Sequence, residues 1–238
     1  MNFTILSLVT AQSFSISPLI AGRNNMRSIS STFSRSFSPI FFTQNLREYN
    51  LNYNHFSFIL SSAVVLSSED QENKKISKRF ADNGELSKVK ITYCLFLKCT
   101  SKENGGGIFI GSSSSITTFT LKSTGFFQCQ SKKGDAFYSQ TGSMSCQNCC
   151  INKCSNSAFY VNEKQSFDFQ YNCITNSKLN SDIEQSPEFN NFDFVNLSYN
   201  TDAIKISSES DSEIVLASCE FNSNAGDSLF IVSSQNIN

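Results

Sequence analysis

The segment Cys94-Leu95-Phe96-Leu97-Lys98-Cys99 contains a pattern that recurs five more times toward the C-terminus and indicates the fold. The recurring pattern has an apolar residue at its third position and Cys or Asn at its sixth. The six copies begin at Cys94, Thr124, Cys149, Tyr171, Val195 and Cys219, and they end at Cys99, Cys129, Cys154, Asn176, Asn200 and Asn224. The end positions are 30, 25, 22, 24 and 24 residues apart, which indicates a repeat protein.

The residues around the pattern favour β-strands. Leucine-rich repeats have a similar period, but they need a dense Leu pattern that this chain lacks. Phe167-Asp168-Phe169-Gln170-Tyr171-Asn172-Cys173 alternates apolar and polar side chains, as does a strand with one buried face. A second apolar strand follows each copy after a turn of small residues, as in Gly105-Gly106-Gly107-Ile108-Phe109-Ile110. Each repeat therefore consists of a strand, a corner, a second strand and a loop.

A unit of this size cannot bury its own apolar face, but stacked units form a continuous core. The sequence therefore predicts an all-β fold, a single right-handed parallel β-helix of about six coils in residues 89–238. Residues 1–45 are expected to be a Ser/Phe-rich leader, signal-like or disordered, and residues 46–88 an irregular cap or early coils. Equivalent side chains of successive coils should stack about 4.8 Å apart. The expected internal ladder consists of Cys99, Cys129, Cys154, Asn176, Asn200 and Asn224.

Two elements of the repeat resemble a known family. Phe221-x-x-Asn224 resembles the FxxN element of the polymorphic outer-membrane-protein repeats, and Gly105-Gly106-Gly107-Ile108 is similar to their GGA element followed by Ile, Leu or Val. Phe96-x-x-Cys99 and Phe126-x-x-Cys129 look like variants with Cys in place of Asn. The resemblance covers about residues 90–232. It implies a right-handed β-helix displayed at a cell surface and used in adhesion and antigenic variation. Pectate-lyase-like β-helix families share the same coil.

Charge and hydropathy exclude several classes of protein. The net charge is −1 and charged residues make up 16% of the chain, so no basic face for nucleic acid is expected. No uninterrupted apolar run of about 18 residues occurs, so no membrane-spanning helix is expected. Residues 1–22 contain apolar stretches without a preceding basic residue, and they are either a secretory signal or a loosely packed leader.

Nine Cys residues offer candidate metal or disulfide chemistry. Cys146-x-x-Cys149, followed by Cys150 and Cys154, has a spacing that zinc could use. Cys149 and Cys154 fall on repeat positions, however, so a core role is favoured and neither a metal nor another cofactor is expected. In a secreted chain, stacking makes Cys94–Cys149 or Cys99–Cys129 candidate disulfides, and the odd count leaves at least one thiol free.

Acidic residues recur at the corner after the pattern, at Asp135, Asp182, Asp202 and Asp227. In β-helix enzymes that cut polysaccharides, clustered carboxylates bind calcium or act as general acid and base. Asp is also a common turn residue because its side chain accepts hydrogen bonds from nearby amides, and that interpretation is preferred. His55 is the single His, so a Ser/His/Asp or Cys/His mechanism is disfavoured, and His55 is expected at the surface or in the cap.

The sequence thus predicts a non-enzymatic protein that acts in adhesion through an unknown protein or glycan partner, outside the cell or at its surface. The alternative is a carbohydrate-active β-helix, a lyase or a hydrolase, that uses the Asp column. The apolar run Leu229-Phe230-Ile231-Val232 lies close to the C-terminus without an evident polar cap. We therefore expect either a fragment of a longer solenoid or end-to-end association through the last coil.

Overall fold

The structure is a computed structural model that describes residues 3–6, 11–13, 20–21, 25–43, 48–67, 88–111, 118–162, 165–179, 181–184, 189–193, 195–202, 204–208, 213–225 and 230–234. Within these ranges the chain forms strands and no helix. The strands fall into nine coils of three. Coil 1 has β1 (Phe3–Leu6), β2 (Ala11–Ser13) and β3 (Ile20–Ala21); coil 2 has β4 (Met26–Ile29), β5 (Thr32–Ser36) and β6 (Phe41–Thr43); coil 3 has β7 (Glu48–Asn52), β8 (His55–Ile59) and β9 (Val64–Ser67). Coil 4 has β10 (Lys88–Thr92), β11 (Leu95–Leu97) and β12 (Ile108–Gly111); coil 5 has β13 (Thr118–Lys122), β14 (Gly125–Phe127) and β15 (Phe137–Gln140); coil 6 has β16 (Ser143–Gln147), β17 (Cys150–Asn152) and β18 (Phe159–Asn162). Coil 7 has β19 (Ser166–Gln170), β20 (Cys173–Thr175) and β21 (Ser181–Glu184); coil 8 has β22 (Phe189–Asp193), β23 (Asn196–Ser198) and β24 (Ile204–Ser208); coil 9 has β25 (Glu213–Ala217), β26 (Glu220–Asn222) and β27 (Phe230–Ser234).

Three parallel sheets run along the stack of coils. The first strands of the nine coils form sheet A, the second strands form sheet B and the third strands form sheet C. Each strand pairs in parallel with the equivalent strands of the coils before and after it, as β10 does with β7 and β13. This strand order is that of a parallel β-helix, and the predicted fold class is confirmed.

The number of coils is larger than the six that the sequence pattern identified. Coils 1 to 3 precede residue 88, where a leader was expected in residues 1–45 and an irregular cap or early coils in residues 46–88. Phe33 and Phe56 are in register with each other, and Phe56 is in register with Phe96. The residues three positions further on are Ser36 and Ile59. Because the ladder position in these coils holds neither Cys nor Asn, the sequence pattern missed them.

Where the structure describes the corners, the coils bend at residues with positive φ, which lie after the first strand and at or after the end of the second strand. At the corner between sheets A and B the φ angles are 49–55°, at Ser30, Tyr53, Tyr93, Ser123, Asn148, Tyr171 and Ser218. At the corner after the strand in sheet B the φ angles are 49–56°, at Arg35, Phe58, Lys98, Gln128, Lys153, Asn176, Tyr199 and Ser223. A left-handed residue breaks the in-and-out alternation of a strand, so the residue after it points inward again.

Because of this break in alternation, the interior residues of the fourth copy of the repeat differ from those that the sequence predicted. Tyr171 is the left-handed corner residue and is exposed, whereas Asn172 and Ile174 are buried. The interior ladder position of coil 7 is therefore Ser177, which is buried. Asn176 is the exposed corner residue with φ 49° and does not belong to the ladder. The sequence alternation seemed continuous through residue 173 because the corner holds an aromatic residue.

A column of stacked rings fills the core behind sheet B. Successive ring centroids of Phe33, Phe56, Phe96 and Phe126 lie 5.4, 4.7 and 4.9 Å apart. Ile151, Ile174 and Leu197 continue the same buried column in coils 6 to 8. Burial of such a side chain contributes about 1.5–3 kcal/mol, so this column is a main source of stability.

A second buried column, before the strands of sheet C, holds only small residues in coils 3 to 6: Ala63, Gly107, Ala136 and Ala158. A Cβ at Gly107 would lie 2.6 Å from the carbonyl oxygen of Ala136 and 3.0 Å from the Phe126 ring. The Phe column therefore leaves no room for a larger side chain at this corner.

Candidate interaction surface

The outer side of sheet B in coils 3 to 5 carries apolar side chains. The first and third residues of β11 and β14 point outward, while the middle residues are buried. Parallel pairing places Leu95 beside Gly125 and Leu97 beside Phe127. Phe127 is 37% exposed, and Leu95 and Leu97 are partly exposed. Three large apolar side chains thus share one flat surface.

Gly125 joins these side chains into a continuous patch. A Cβ at Gly125 would lie 3.2 Å from Cδ1 of Leu95 and 3.6 Å from Cε2 of Phe127. Because glycine has no side chain, Leu95 and Phe127 converge over its backbone from the two sides. The signal is visible in the sequence as Gly125-Phe126-Phe127, but its meaning depends on the register with β11.

Aromatic residues at the corners extend the patch on both sides. The rings of Tyr53 and Tyr93 stack with centroids 4.8 Å apart and are 56% and 49% exposed. Phe58 is 47% exposed at the opposite corner, where the ammonium of Lys98 lies 5.3 Å from its ring centroid. We call this surface the aromatic face; it consists of Tyr53, Phe58, Tyr93, Leu95, Leu97 and Phe127.

The three corner aromatics are exposed although their side chains are large. Tyr53, Phe58 and Tyr93 have φ of 54°, 55° and 53°, within the same range as the corner residues of other coils, such as the exposed Tyr199 at φ 56°. The left-handed backbone is therefore a feature of the coil and does not by itself mark a contact surface. What distinguishes these three rings is their position beside the outward apolar side chains of sheet B, because clustered exposed apolar groups are typical of a surface that contacts a partner.

The aromatic face lies in the positively charged half of the molecule. Described residues between 25 and 130 include seven cations (Arg27, Arg35, Lys88, Lys90, Lys98, Lys102 and Lys122) and two anions (Glu48 and Glu103). Lys98 belongs to the corner next to Phe58, and the exposed Lys122 directly precedes the corner residue Ser123. A partner with an acidic rim would therefore be favoured electrostatically.

Among the described residues, Asp135 does not form one aligned site with the other predicted Asp residues. Asp135 is fully buried, and its carboxylate accepts hydrogen bonds from the backbone N–H groups of Ser131 at 2.6 Å and Asn156 at 2.8 Å. Burial raises the pKa of Asp135, and these hydrogen bonds oppose the increase. The residue thus caps backbone amides of coils 5 and 6.

Two of the other three Asp residues are described, and neither lies next to Asp135. Asp202 is exposed in coil 8 with φ 63°, and its carboxylate lies 3.7 Å from Nζ of Lys178. Asp182 is in β21, in register with Tyr160 of β18, so it is part of a strand and not of a corner. Asp227 lies outside the described residues. Coils 5 and 8 are three steps apart, or about 14 Å at the usual strand spacing, so Asp135 and Asp202 cannot act on one bond.

The Cys side chains differ in burial: six lie in the core and three are partly accessible on the surface. All nine are free thiols; Cys94, Cys99, Cys129, Cys146, Cys149 and Cys154 are buried, whereas Cys150, Cys173 and Cys219 are half-buried. Cys146 and Cys149 point into the core but Cys150 points out, so the sulfurs of the zinc-like spacing do not converge. In the part of the chain that the structure describes, no three His, Cys, Asp or Glu side chains are grouped as metal ligands.

The two candidate disulfides have different outcomes. Cys94 and Cys149 are equivalent residues of coils 4 and 6, with Thr124 between them, as the bonds from Gly125 N to Cys94 O and from Cys150 N to Thr124 O show. Two steps of about 4.8 Å exceed the roughly 7 Å that a disulfide can span between Cα atoms, so this pairing is wrong. Cys99 and Cys129 are direct neighbours in the ladder and are free thiols in this structure, so their disulfide stays a prediction for an oxidising medium. Burial, together with contact with Cys129, holds the pKa of Cys99 well above its usual value.

Asn residues in the interior hold successive coils together. Nδ2 of Asn200 donates to the carbonyl of Ile174 at 2.7 Å, and its Oδ1 accepts from Ser177 N at 3.0 Å. Asn224 is half-buried and bonds the preceding coil in the same way, through Leu197 O and Asn200 N. At the corner between sheets A and B, Nδ2 of Asn172 donates to the carbonyl of Cys146 and its Oδ1 accepts from Cys149 N. This is a second interior Asn position, which the repeat pattern does not include.

The fold and its outer surface define an all-β parallel β-helix repeat protein with an exposed aromatic face. Within the described ranges, no helical segment has the length and apolar character that a bilayer crossing requires. No protein-family model, no curated protein and no solved structure matches this chain.

Proposed function

We propose that this protein is a non-enzymatic β-helix that binds a protein partner through the aromatic face, and that it acts in adhesion outside the cell or at a cell surface. The observation that carries the proposal is the continuous apolar patch of Tyr53, Tyr93, Leu95, Leu97 and Phe127 on one rigid sheet. Aromatic side chains on a preorganised surface are the usual centres of binding energy in protein interfaces.

The distribution of polar groups also supports binding over catalysis. A shallow depression of about 450 Å³ lies at the corner of coils 6 to 8, and its lining includes Lys153, Asn176, Lys178 and Thr201 but no carboxylate. Asp135 is buried under its hydrogen bonds and Asp202 is about three coils away. A lyase or a glycoside hydrolase would need carboxylates that face one substrate groove.

The proposal is tested by binding of the full chain to an array of extracellular protein domains and, separately, to an array of acidic and neutral glycans. We expect retention on one or more proteins, reduced about 30-fold or more by Tyr93→Ser combined with Leu97→Ser, since central interface residues contribute about 2 kcal/mol or more. Tyr199→Ser is the matched control, because Tyr199 is an exposed corner Tyr with φ 56° in coil 8, away from the aromatic face.

Three results would overturn the proposal. Equal loss of binding in Tyr199→Ser would show that the aromatic face is not the contact surface. Retention on glycans alone would assign the protein to glycan binding. Cleavage of a polysaccharide in the presence of calcium, abolished by Asp202→Ala, would make it an enzyme.

A further inference from the structure

Two Cys residues face each other on the outer side of sheet B, beyond the aromatic face. Cys150 is the first residue of β17 and Cys173 the first residue of β20, and the two are direct partners in the parallel register. Both point outward and are half-buried. Paired parallel strands place such Cα atoms about 4.8 Å apart, inside the range of about 4.4–6.8 Å that disulfides span.

The two thiols also interact electrostatically. Burial raises the pKa of Cys150 to about 11, and the charge of Cys173 and a side-chain hydrogen bond with it add to the increase. This interaction agrees with the strand register, which places the two residues directly opposite each other. The side chains at the next outward position of the same strands, Asn152 and Thr175, are bridged by a 2.6 Å hydrogen bond, which holds the two strands in register.

Accessibility separates this pair from the other thiols. Cys99 interacts with Cys129, and Cys146 with Cys149, but all four side chains are buried in the core. Cys219, the third half-buried Cys, donates its thiol to the carbonyls of Phe192 and Ala217, and the equivalent residue of coil 8 is Val195, as the bond from Glu220 N to Val195 O shows. Among the nine Cys residues, all of which the structure describes, a dissolved oxidant therefore reaches two neighbouring thiols only at Cys150 and Cys173.

We propose that Cys150 and Cys173 form a redox-active dithiol that closes to a disulfide and links coils 6 and 7 across sheet B. The oxidant is a small disulfide such as oxidised glutathione. A thiolate of the pair attacks one glutathione sulfur and releases the first glutathione, which takes up a proton. The second protein thiolate then attacks the protein sulfur of the mixed disulfide and releases the second glutathione. Two protein thiols lose two protons and two electrons, and one glutathione disulfide becomes two thiols.

The bridge would add a covalent link between coils 6 and 7, which strand pairing and the Asn152–Thr175 hydrogen bond hold together on this side of the coil. It would close a chain segment that includes β18 and β19, and so it would restrict the unfolded chain. We expect oxidation to raise the Tm by about 5–10 °C in a chain of this length. Exposure to an oxidising or a reducing medium would thereby set how firmly the solenoid is held.

The test uses the full chain, reduced, freed of reductant and incubated at about pH 9 with an excess of oxidised glutathione, because the raised pKa of Cys150 leaves little thiolate at lower pH. Remaining thiols are alkylated after denaturation, and peptides are identified by mass spectrometry. We expect a mass loss of about 2 Da, corresponding to two hydrogens, one linked peptide pair containing Cys150 and Cys173, and alkylation of the other Cys residues. Cys150→Ser and Cys173→Ser should each retain one glutathione as a stable mixed disulfide. Cys219→Ser, the matched control, should still form the bridge.

Circular dichroism of the reduced and oxidised chains checks that both are folded. The proposal is overturned if glutathione accumulates separately on Cys150 and Cys173, if no thiol reacts, or if the linked pair is Cys99–Cys129 or Cys146–Cys149. An unchanged Tm despite the bridge would overturn the stabilising role. None of these results depends on the partner of the aromatic face.

Discussion

Replacement of Phe96 by Ala tests whether the ring column behind sheet B holds the solenoid together. Phe96 is fully buried, and its ring stacks on Phe56 at 4.7 Å and on Phe126 at 4.9 Å. A buried Phe→Ala change costs about 3–5 kcal/mol, because a cavity remains where the ring was. Loss of two stacked contacts, each worth about 0.5–1.5 kcal/mol, places Phe96→Ala in the upper half of that range. This is a large fraction of the roughly 5–15 kcal/mol by which a domain is stable.

Phe221→Ala is the matched control because Phe221 occupies the same column in coil 9. It is in register with Leu197 and is 43% exposed, so its removal should cost about 1 kcal/mol or less. Phe96→Leu, which fills most of the cavity, should cost less than about 1.5 kcal/mol and keeps the test informative if the Ala variant does not fold.

The assay is guanidinium unfolding followed by circular dichroism, with hydrogen exchange of the amides in β8, β11 and β14. Exchange is needed because stacked repeats can unfold in parts. Faster exchange in these three strands, together with a lower unfolding midpoint, is the expected result. If Phe96→Ala and Phe221→Ala lowered stability equally, the ring column would not be the source of stability and the reasoning would fail.

Three further changes test the other structural assignments. Asp135→Ala leaves buried backbone N–H groups without an acceptor and should cost about 1–3 kcal/mol in urea unfolding, whereas the exposed Asp202→Ala should stay within about 0.5 kcal/mol; similar costs would remove the capping role. Asn200→Ala should lower the free energy of unfolding by about 2–4 kcal/mol, because two buried hydrogen bonds to the preceding coil are lost. Asn176→Gly should leave the stability unchanged or raise it, since glycine suits φ 49°. If Asn176→Gly lowered the unfolding midpoint more than Asn200→Ala, Asn176 would belong to the ladder after all. Burial raises the pKa of Cys94 from 9.0 to about 11, so the folded state favours its neutral thiol; the resulting stability is complete below pH 9, and about 2 kcal/mol is lost as the pH rises to 11. Unfolding titrations in reductant should show a shallower alkaline loss in Cys94→Ala, and identical pH profiles would contradict the assignment.

The repeat and the strands could be predicted from the sequence because both depend on local patterns. An apolar residue at the third position of the pattern is buried in all the copies from coils 4 to 6, at Phe96, Phe126 and Ile151. The ladder positions Cys99, Cys129 and Cys154 are likewise buried in those coils. A side chain that must pack inside every coil leaves a periodic trace, and the period survives loops of different length.

The corner positions, and the ladder positions of coils 2 and 3, show no recurring residue type in the sequence. The left-handed corner is occupied by Tyr, Ser, Asn, Lys, Gln, Arg and Phe in different coils, so no residue type marks it. The phase of the fourth copy, from Tyr171 to Asn176, was therefore wrong by one residue. In coils 2 and 3 the ladder position holds Ser36 and Ile59 instead of Cys or Asn, so these coils do not match the repeat pattern. The corner imposes a backbone geometry that several side chains tolerate at moderate cost.

The candidate surface was beyond reach of the sequence for a related reason. The residues Tyr53, Tyr93, Leu95 and Phe127 are spread over 75 positions of the chain, and each alone is an ordinary exposed side chain. The same holds for Cys150 and Cys173, which the sequence analysis did not pair.

The stacking of short parallel strands around an apolar interior follows from the sequence, because burial repeats with each coil. The side chains that meet on the outside are identified only in three dimensions. Contacts there are set by the register between coils, and the register follows from backbone pairing and corner geometry rather than from the outward residues themselves.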